Sequence, residues 1–112
     1  MENYKKQPKY LFKVLWSKTY VGIAINEIYN ENCTLPLTTF YFWPREDGWK
    51  LLKSELDSKP WMEEEAKLEI LNGYTNIIHY WLKNVNKKFS TQNFYSQDFN
   101  ININVLAINT TN

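Results

Sequence analysis

After about nine mostly polar residues the chain turns apolar in two runs, Tyr10 to Trp16 and Tyr20 to Tyr29. Both are crowded with β-branched and aromatic side chains and read as strands. The link Ser17-Lys18-Thr19 is short enough for a hairpin. A period of two puts Phe12, Val14 and Trp16 on one face, with Leu11, Lys13 and Leu15 on the other. Asn30 to Thr34 reads as a loop. Leu37 to Trp43 reads as a third strand, closed by Pro44, which has no N–H to give a ladder.

From Pro44 the apolar spacing lengthens to three and four. Proline fixes φ at a helix entry, and Glu46 and Asp47 supply acids for a first turn, where the backbone dipole favours negative charge. Trp49, Leu52 and Leu56 then share one face. Pro60 ends this helix by pushing the preceding residue out of helical geometry. The pattern predicts a second helix from Trp61 or Met62 to about Asn86, with Glu63 to Glu65 in its first turn. Leu68, Leu71, Ile78 and Leu82 line one face, with Ala66, Ile70, Tyr74, Ile77 and Trp81 beside it, a sector wide enough for contact on two sides. Beyond Phe89 the chain is rich in Asn, Ser and Thr, yet Ile101, Ile103 and Val105 alternate with Asn100, Asn102 and Asn104, a pattern suited to one more strand, here or on a neighbour. The expected architecture is α+β: a small antiparallel sheet of two to three strands followed by two α-helices. It divides into a basic lead over 1–9, a single domain over 10–86 and an Asn-rich extension over 87–112.

A length of 112 residues allows one domain. Five Trp, eight Tyr and six Phe mean that aromatic rings must dominate its core. Cys33, alone, forms no internal disulfide, and with His79 it falls short of a zinc ligand set. No apolar run approaches the 18 or so residues of a membrane span, and the first ten residues are too polar for a secretory signal, so a soluble chain that is not exported is expected. Twelve Lys against one Arg, with fourteen Asn, is the bias of AT-rich codons and fits an organelle genome. The net charge of +1 is unevenly spread. Residues 1–18 hold five Lys and one Glu, whereas 46–69 hold four Lys and eight acids, so the lead is basic and the middle acidic.

Catalytic signatures are absent: no glycine-rich phosphate loop, no GxSxG elbow, one histidine. His79 lies among core-directed helical residues and reads as structural. Cys33 has no cationic cluster to lower its pKa. Glu63, Glu64, Glu65 and Glu69 read as a helix start and a solvated face, with no metal, because hard cations need oxygens converging on one point. Lys5, Lys6, Lys9, Lys13 and Lys18, interleaved with Tyr4 and Tyr10, suit a phosphate track with stacking on exposed bases. Lys83, Lys87 and Lys88 serve equally as phosphate contacts or as cations closing a helix C-terminus.

The block Pro36-Leu-Thr-Thr-Phe-Tyr-Phe-Trp-Pro-Arg-Glu-Asp-Gly-Trp49, followed by Leu52-Lys-Ser-Glu-Leu56, Lys59-Pro-Trp61, Glu69-Ile-Leu-Asn72 and Ile77-Ile-His-Tyr-Trp81, resembles the plastid-specific ribosomal protein 3 family over roughly residues 10 to 82. The resemblance implies a structural constituent of the small ribosomal subunit in the plastid stroma. Its partners would be small-subunit ribosomal RNA and neighbouring small-subunit ribosomal proteins, with no cofactor, membrane, small-molecule substrate or catalytic residue; the alternative is an RNA-binding translation regulator only transiently on the ribosome. Within the family motif Phe42, Trp43, Pro44, Trp49, Pro60, Trp61, Tyr80 and Trp81 are assigned to the core and its rim, and Arg45 joins the candidate RNA contacts. Met62 stands where the family usually offers a Ser cap, and Gly48 and Gly73 replace better helix formers. With net charge +1 the RNA footprint is expected to be modest and peripheral.

Overall fold

The computed structural model describes residues 9–95 and 104–110. Its centre is the hairpin of β1 (Tyr10–Trp16) and β2 (Val21–Asn30), paired antiparallel from Tyr10 opposite Glu27 to Trp16 opposite Val21. As the alternation requires, Phe12, Val14 and Trp16 are buried while Leu11, Lys13 and Leu15 are half-buried on the opposite face.

The sheet is larger than the sequence reading of two to three strands, and it is mixed. The far edge of β2 carries two short strands, β3 (Cys33–Pro36) beside its second half and β4 (Tyr41–Trp43) beside its start. The segment expected to be one strand from Leu37 is interrupted because Leu37 and Thr38 both donate backbone N–H to the Ile25 carbonyl, and Thr38 Oγ1 accepts from Ile25 N–H at 3.0 Å. Cys33 and Thr34, read as loop, belong to β3. On the other edge β5 (Asn104–Asn109) pairs with β1 in parallel, Phe12 beside Val105 and Trp16 beside Asn109, so the sheet is not purely antiparallel. Ile101 and Ile103 lie outside the described residues.

Helices α1 (Gly48–Asp57) and α2 (Glu64–Lys83) cover one sheet face, and a short α3 (Thr91–Tyr95) packs its Phe94 against Tyr80 of α2. The entry to α1 is later than predicted. Glu46 and Asp47 precede the helix, Asp47 caps it by accepting from Lys50 N–H at 3.1 Å, and the Trp43–Pro44 peptide is cis. Gly48 is demanded by packing, since a Cβ there would lie 2.0 Å from the Tyr74 hydroxyl and 2.8 Å from the Phe42 carbonyl. The second helix starts at Glu64, after the Lys59–Met62 turn, and stops at Lys83, short of Asn86. Glu64 and Glu65 fill its first turn, and Glu63 gives no side-chain cap.

The buried stripe of α2 is centred on Ile70, Tyr74, Ile77 and Trp81, the residues expected at the side of the main face. Of the predicted main face Leu71 and Ile78 are buried but Leu68 and Leu82 are exposed, and His79, expected among core residues, is exposed too. The family-motif residues divide. Tyr80 and Trp81 are buried and Phe42 and Trp43 half-buried, whereas Trp49 is 38% and Trp61 63% exposed, with Pro44 and Pro60 also on the surface. The core reaches past the predicted domain end. Tyr80 meets Phe94 at 5.2 Å, Phe89 at 5.6 Å and Trp16 at 5.6 Å between ring centroids, edge-on or tilted arrangements that add about 0.5–1.5 kcal/mol per pair beyond burial.

Candidate nucleic-acid interface

Two tryptophans of the core build a lysine-rimmed part of the surface. The Trp81 indole N–H donates to the Ser17 carbonyl at 2.7 Å and so holds the turn between β1 and β2. Trp16 donates its indole N–H to the Lys87 carbonyl at 2.8 Å and holds the segment after α2. Thr110 then donates its backbone N–H to the Trp16 carbonyl at 2.8 Å, and Asn109 Oδ1 accepts from Phe89 N–H at 2.7 Å. Each such bond is worth about 0.5–1.5 kcal/mol, and together they fix three chain segments side by side. Between them lies a hollow of about 360 Å³ whose rim carries Lys18, Lys87 and Lys88. Lys83, in the last turn of α2, comes just before the same segment.

Pairing separates these cations from most of those in the acidic middle. In the acidic middle, Lys53 binds Asp57 at 2.8 Å, Lys59 binds Glu55 at 3.5 Å, and Lys67 reaches Glu64 at 3.2 Å and Asp57 at 3.6 Å. The hydrogen bond from Lys53 holds the Asp57 carboxyl below its ordinary range, and the same bond raises Lys53. Among the described residues, Lys9, Lys13, Lys18, Lys50, Lys83, Lys87, Lys88 and Arg45 have no carboxylate within 4.0 Å. Unpaired cations are the ones that phosphate can engage without first breaking an ion pair.

The predicted basic segment is not one patch. Lys5 and Lys6 lie outside the described residues. Lys9 and Lys18 flank β1 and are separated by its extended length, about 25–30 Å. Lys13, on the outer sheet face, sits with its Nζ 5.7 Å from the centre of the Phe40 ring, a cation–π contact. Arg45 lines a second hollow, of about 300 Å³, with Tyr20, Phe42 and Glu46. The turn that carries Arg45 can pass close over α2 because Gly48 leaves room for Tyr74, whose buried hydroxyl has no hydrogen-bond partner among the described residues. Burial, and then the charges of Asp47 and Glu46, raise that hydroxyl's pKa far above its ordinary value. Tyr41 donates its hydroxyl to Glu55 and is pushed up to about 12, by burial first and the carboxylate second. Sequence reasoning missed Trp16 and Tyr20 as builders of these hollows; an indole aimed at a carbonyl seventy residues away leaves no local pattern.

Among the described residues no group of three or more His, Cys, Asp or Glu side chains is placed to hold a metal ion, and no helix is long and apolar enough to cross a membrane.

Residues 37–84 match the family described as plastid and cyanobacterial ribosomal protein (PSRP-3 / Ycf65). The small ribosomal subunit protein cS23 of Gracilaria tenuistipitata var. liui is 40% identical over 94 residues, 77% of this chain and 94% of the relative. The chain belongs to this ribosomal protein family. A probable cS23 of Synechococcus sp. (strain JA-3-3Ab) is 43% identical over 74 residues, 66% of this chain and 74% of its own. A cS23y of Arabidopsis thaliana is 40% identical over 76 residues, 68% of this chain and 42% of that longer protein. The PSRP-3 / Ycf65 match takes in β4, α1 and α2, hence Arg45, Lys83 and Trp81. Lys18, Lys87 and Lys88 fall outside it, on segments that Trp16 and Trp81 tie to the matched part.

Proposed function

We propose that the chain is a structural constituent of the plastid small ribosomal subunit, where it grips ribosomal RNA through its unpaired cations and neighbouring ribosomal proteins through its helical side, and performs no reaction. The observation that carries the RNA contact is the contrast in pairing. Three of the four lysines between residues 46 and 69 are held by acids of α1 and α2, while Lys18, Lys87 and Lys88 share one braced hollow with no carboxylate partner among the described residues. Phosphate contacts position a protein on nucleic acid and make binding salt-dependent. A braced hollow suits that work because the backbone segments carrying its cations need little ordering on binding. The acidic outer surface of α1 and α2 suits solvent or a basic ribosomal neighbour.

The test is co-sedimentation of the full chain with small subunits lacking it, across a series of salt concentrations. Lys18→Glu, Lys87→Glu and Lys88→Glu combined should weaken binding at least tenfold and lower the salt slope by about one for each phosphate no longer neutralised. Unchanged binding and slope would sink the RNA assignment to this hollow. A chain that leaves the subunit in moderate salt, and is otherwise found free, would instead be a transient regulator.

A further inference from the structure

The sheet face turned away from the helices carries a second cationic and aromatic arrangement. Lys13 lies over Phe40 at 5.7 Å, Phe40 is stacked on Phe42 at 6.3 Å between centroids, and Tyr20 meets Phe42 edge-on at 5.7 Å. Tyr20 and Phe42 then open into the 300 Å³ hollow beside Arg45 and Glu46. All three rings are half-buried, anchored on the sheet with part of each surface free. Gly22 explains how Phe42 lies so low: it pairs directly with Phe42 across β2 and β4, and a Cβ there would sit 2.5 Å from the ring. The strip thus alternates cation, ring, ring, ring, cation.

We infer that the Tyr20–Phe42–Arg45 hollow receives one unpaired nucleobase of ribosomal RNA, stacked on these side chains while Arg45 and Lys13 meet the flanking phosphates. This deepens the ribosomal reading above and rests on it. Sequence-tolerant recognition of single-stranded RNA is built from aromatic faces and guanidinium planes along a positive track, and this strip has those parts in that order. The single carboxylate in the hollow, Glu46, is an acceptor for an exocyclic amino group, which favours cytosine or another amino-bearing base. An apolar anchor from a protein partner fits less well. It would be buried against the Glu46 carboxylate, a residue type depleted from the centres of protein interfaces.

The experiment uses the full chain and small subunits lacking it. Tyr20→p-benzoylphenylalanine, photoactivated on the subunit, should crosslink to a ribosomal RNA nucleotide in a single-stranded position. Tyr20→Leu and Arg45→Ala, both at solvent-accessible sites, should each weaken binding about fivefold to tenfold with unchanged thermal unfolding. Crosslinks to a ribosomal protein instead of RNA would overturn the inference. So would unaltered affinity of both variants while the Lys18, Lys87 and Lys88 charge reversal still weakens binding, an outcome that leaves the ribosomal reading standing. Failure of the unmodified chain to join the subunit overturns both.

Discussion

The two faces of the sheet are made from alternate residues of the same strands and follow opposite rules. Toward the helices, Phe12, Val14, Trp16, Val21, Ile23 and Ile25 are sealed from solvent. Toward the outside, β1 and β5 offer Leu11, Lys13, Leu15, Leu106 and Ile108, the last two more than half exposed. The helical side is closed by rings meeting edge-on and by indole N–H groups aimed at loop carbonyls, so it spends its polar atoms on bracing. On the outer side Lys13 has no carboxylate partner among the described residues and lies over the Phe40 ring. One seven-residue strand therefore gives its even positions to the core and leaves its odd ones partly open to solvent.

That division can be broken most severely from the inside. Phe94→Ala should cost about 3–5 kcal/mol, read as a lower urea midpoint, because the ring is fully buried against Tyr80 and Phe89. Gly48→Ala should cost about 1–3 kcal/mol through the clash with Tyr74 and the Phe42 carbonyl, and should also disturb the Arg45 turn, seen as weakened subunit binding. Outside, Leu106→Thr should change stability by no more than about 0.5 kcal/mol, since an exposed strand position accepts a β-branched polar residue. A loss comparable with that of Phe94→Ala would mean that the outer face is not outer at all.

The last effect is confined to alkaline pH. The neutral Tyr41 hydroxyl is favoured in the fold, with its pKa raised from 10.0 to about 12, so its contribution is complete below pH 10 and is lost as pH rises toward 12. Tyr41→Phe should flatten that part of the urea midpoint against pH curve. Equal curves for the two proteins would show that the Glu55 contact does not set the alkaline limit.

Much of the helical side was legible beforehand. The period of two in β1 named its buried residues, and Pro60 separated two helices as expected. Reading failed where side-chain type and burial part company. Leu68, Leu82 and Trp61 are as apolar as core residues and yet lie in solvent, so only Leu71 and Ile78 of the face predicted for α2 are buried and the stripe is displaced toward Ile70, Tyr74, Ile77 and Trp81. It failed also where pairing is non-local. β3, which ends in proline, was read partly as loop, and the further strand suggested by the Asn-rich alternation exists as β5, but its parallel place beside β1 was not legible. Of the candidate contacts, the cations were visible as residue types, but their grouping was not. Lys18 joins Lys87 and Lys88 only through hydrogen bonds that Trp16 and Trp81 send across the fold.

The parallel strand has a bearing on biogenesis. Thr110 bonds to Trp16 across a separation of 94 residues, so during vectorial synthesis the hairpin emerges long before the strand that lies beside it. Until then β1 presents a bare edge of amide groups, of the kind that recruits stray strands. Locking Trp16 in place is correspondingly a late event on the nascent polypeptide, and the lysine-rimmed hollow comes into being with it.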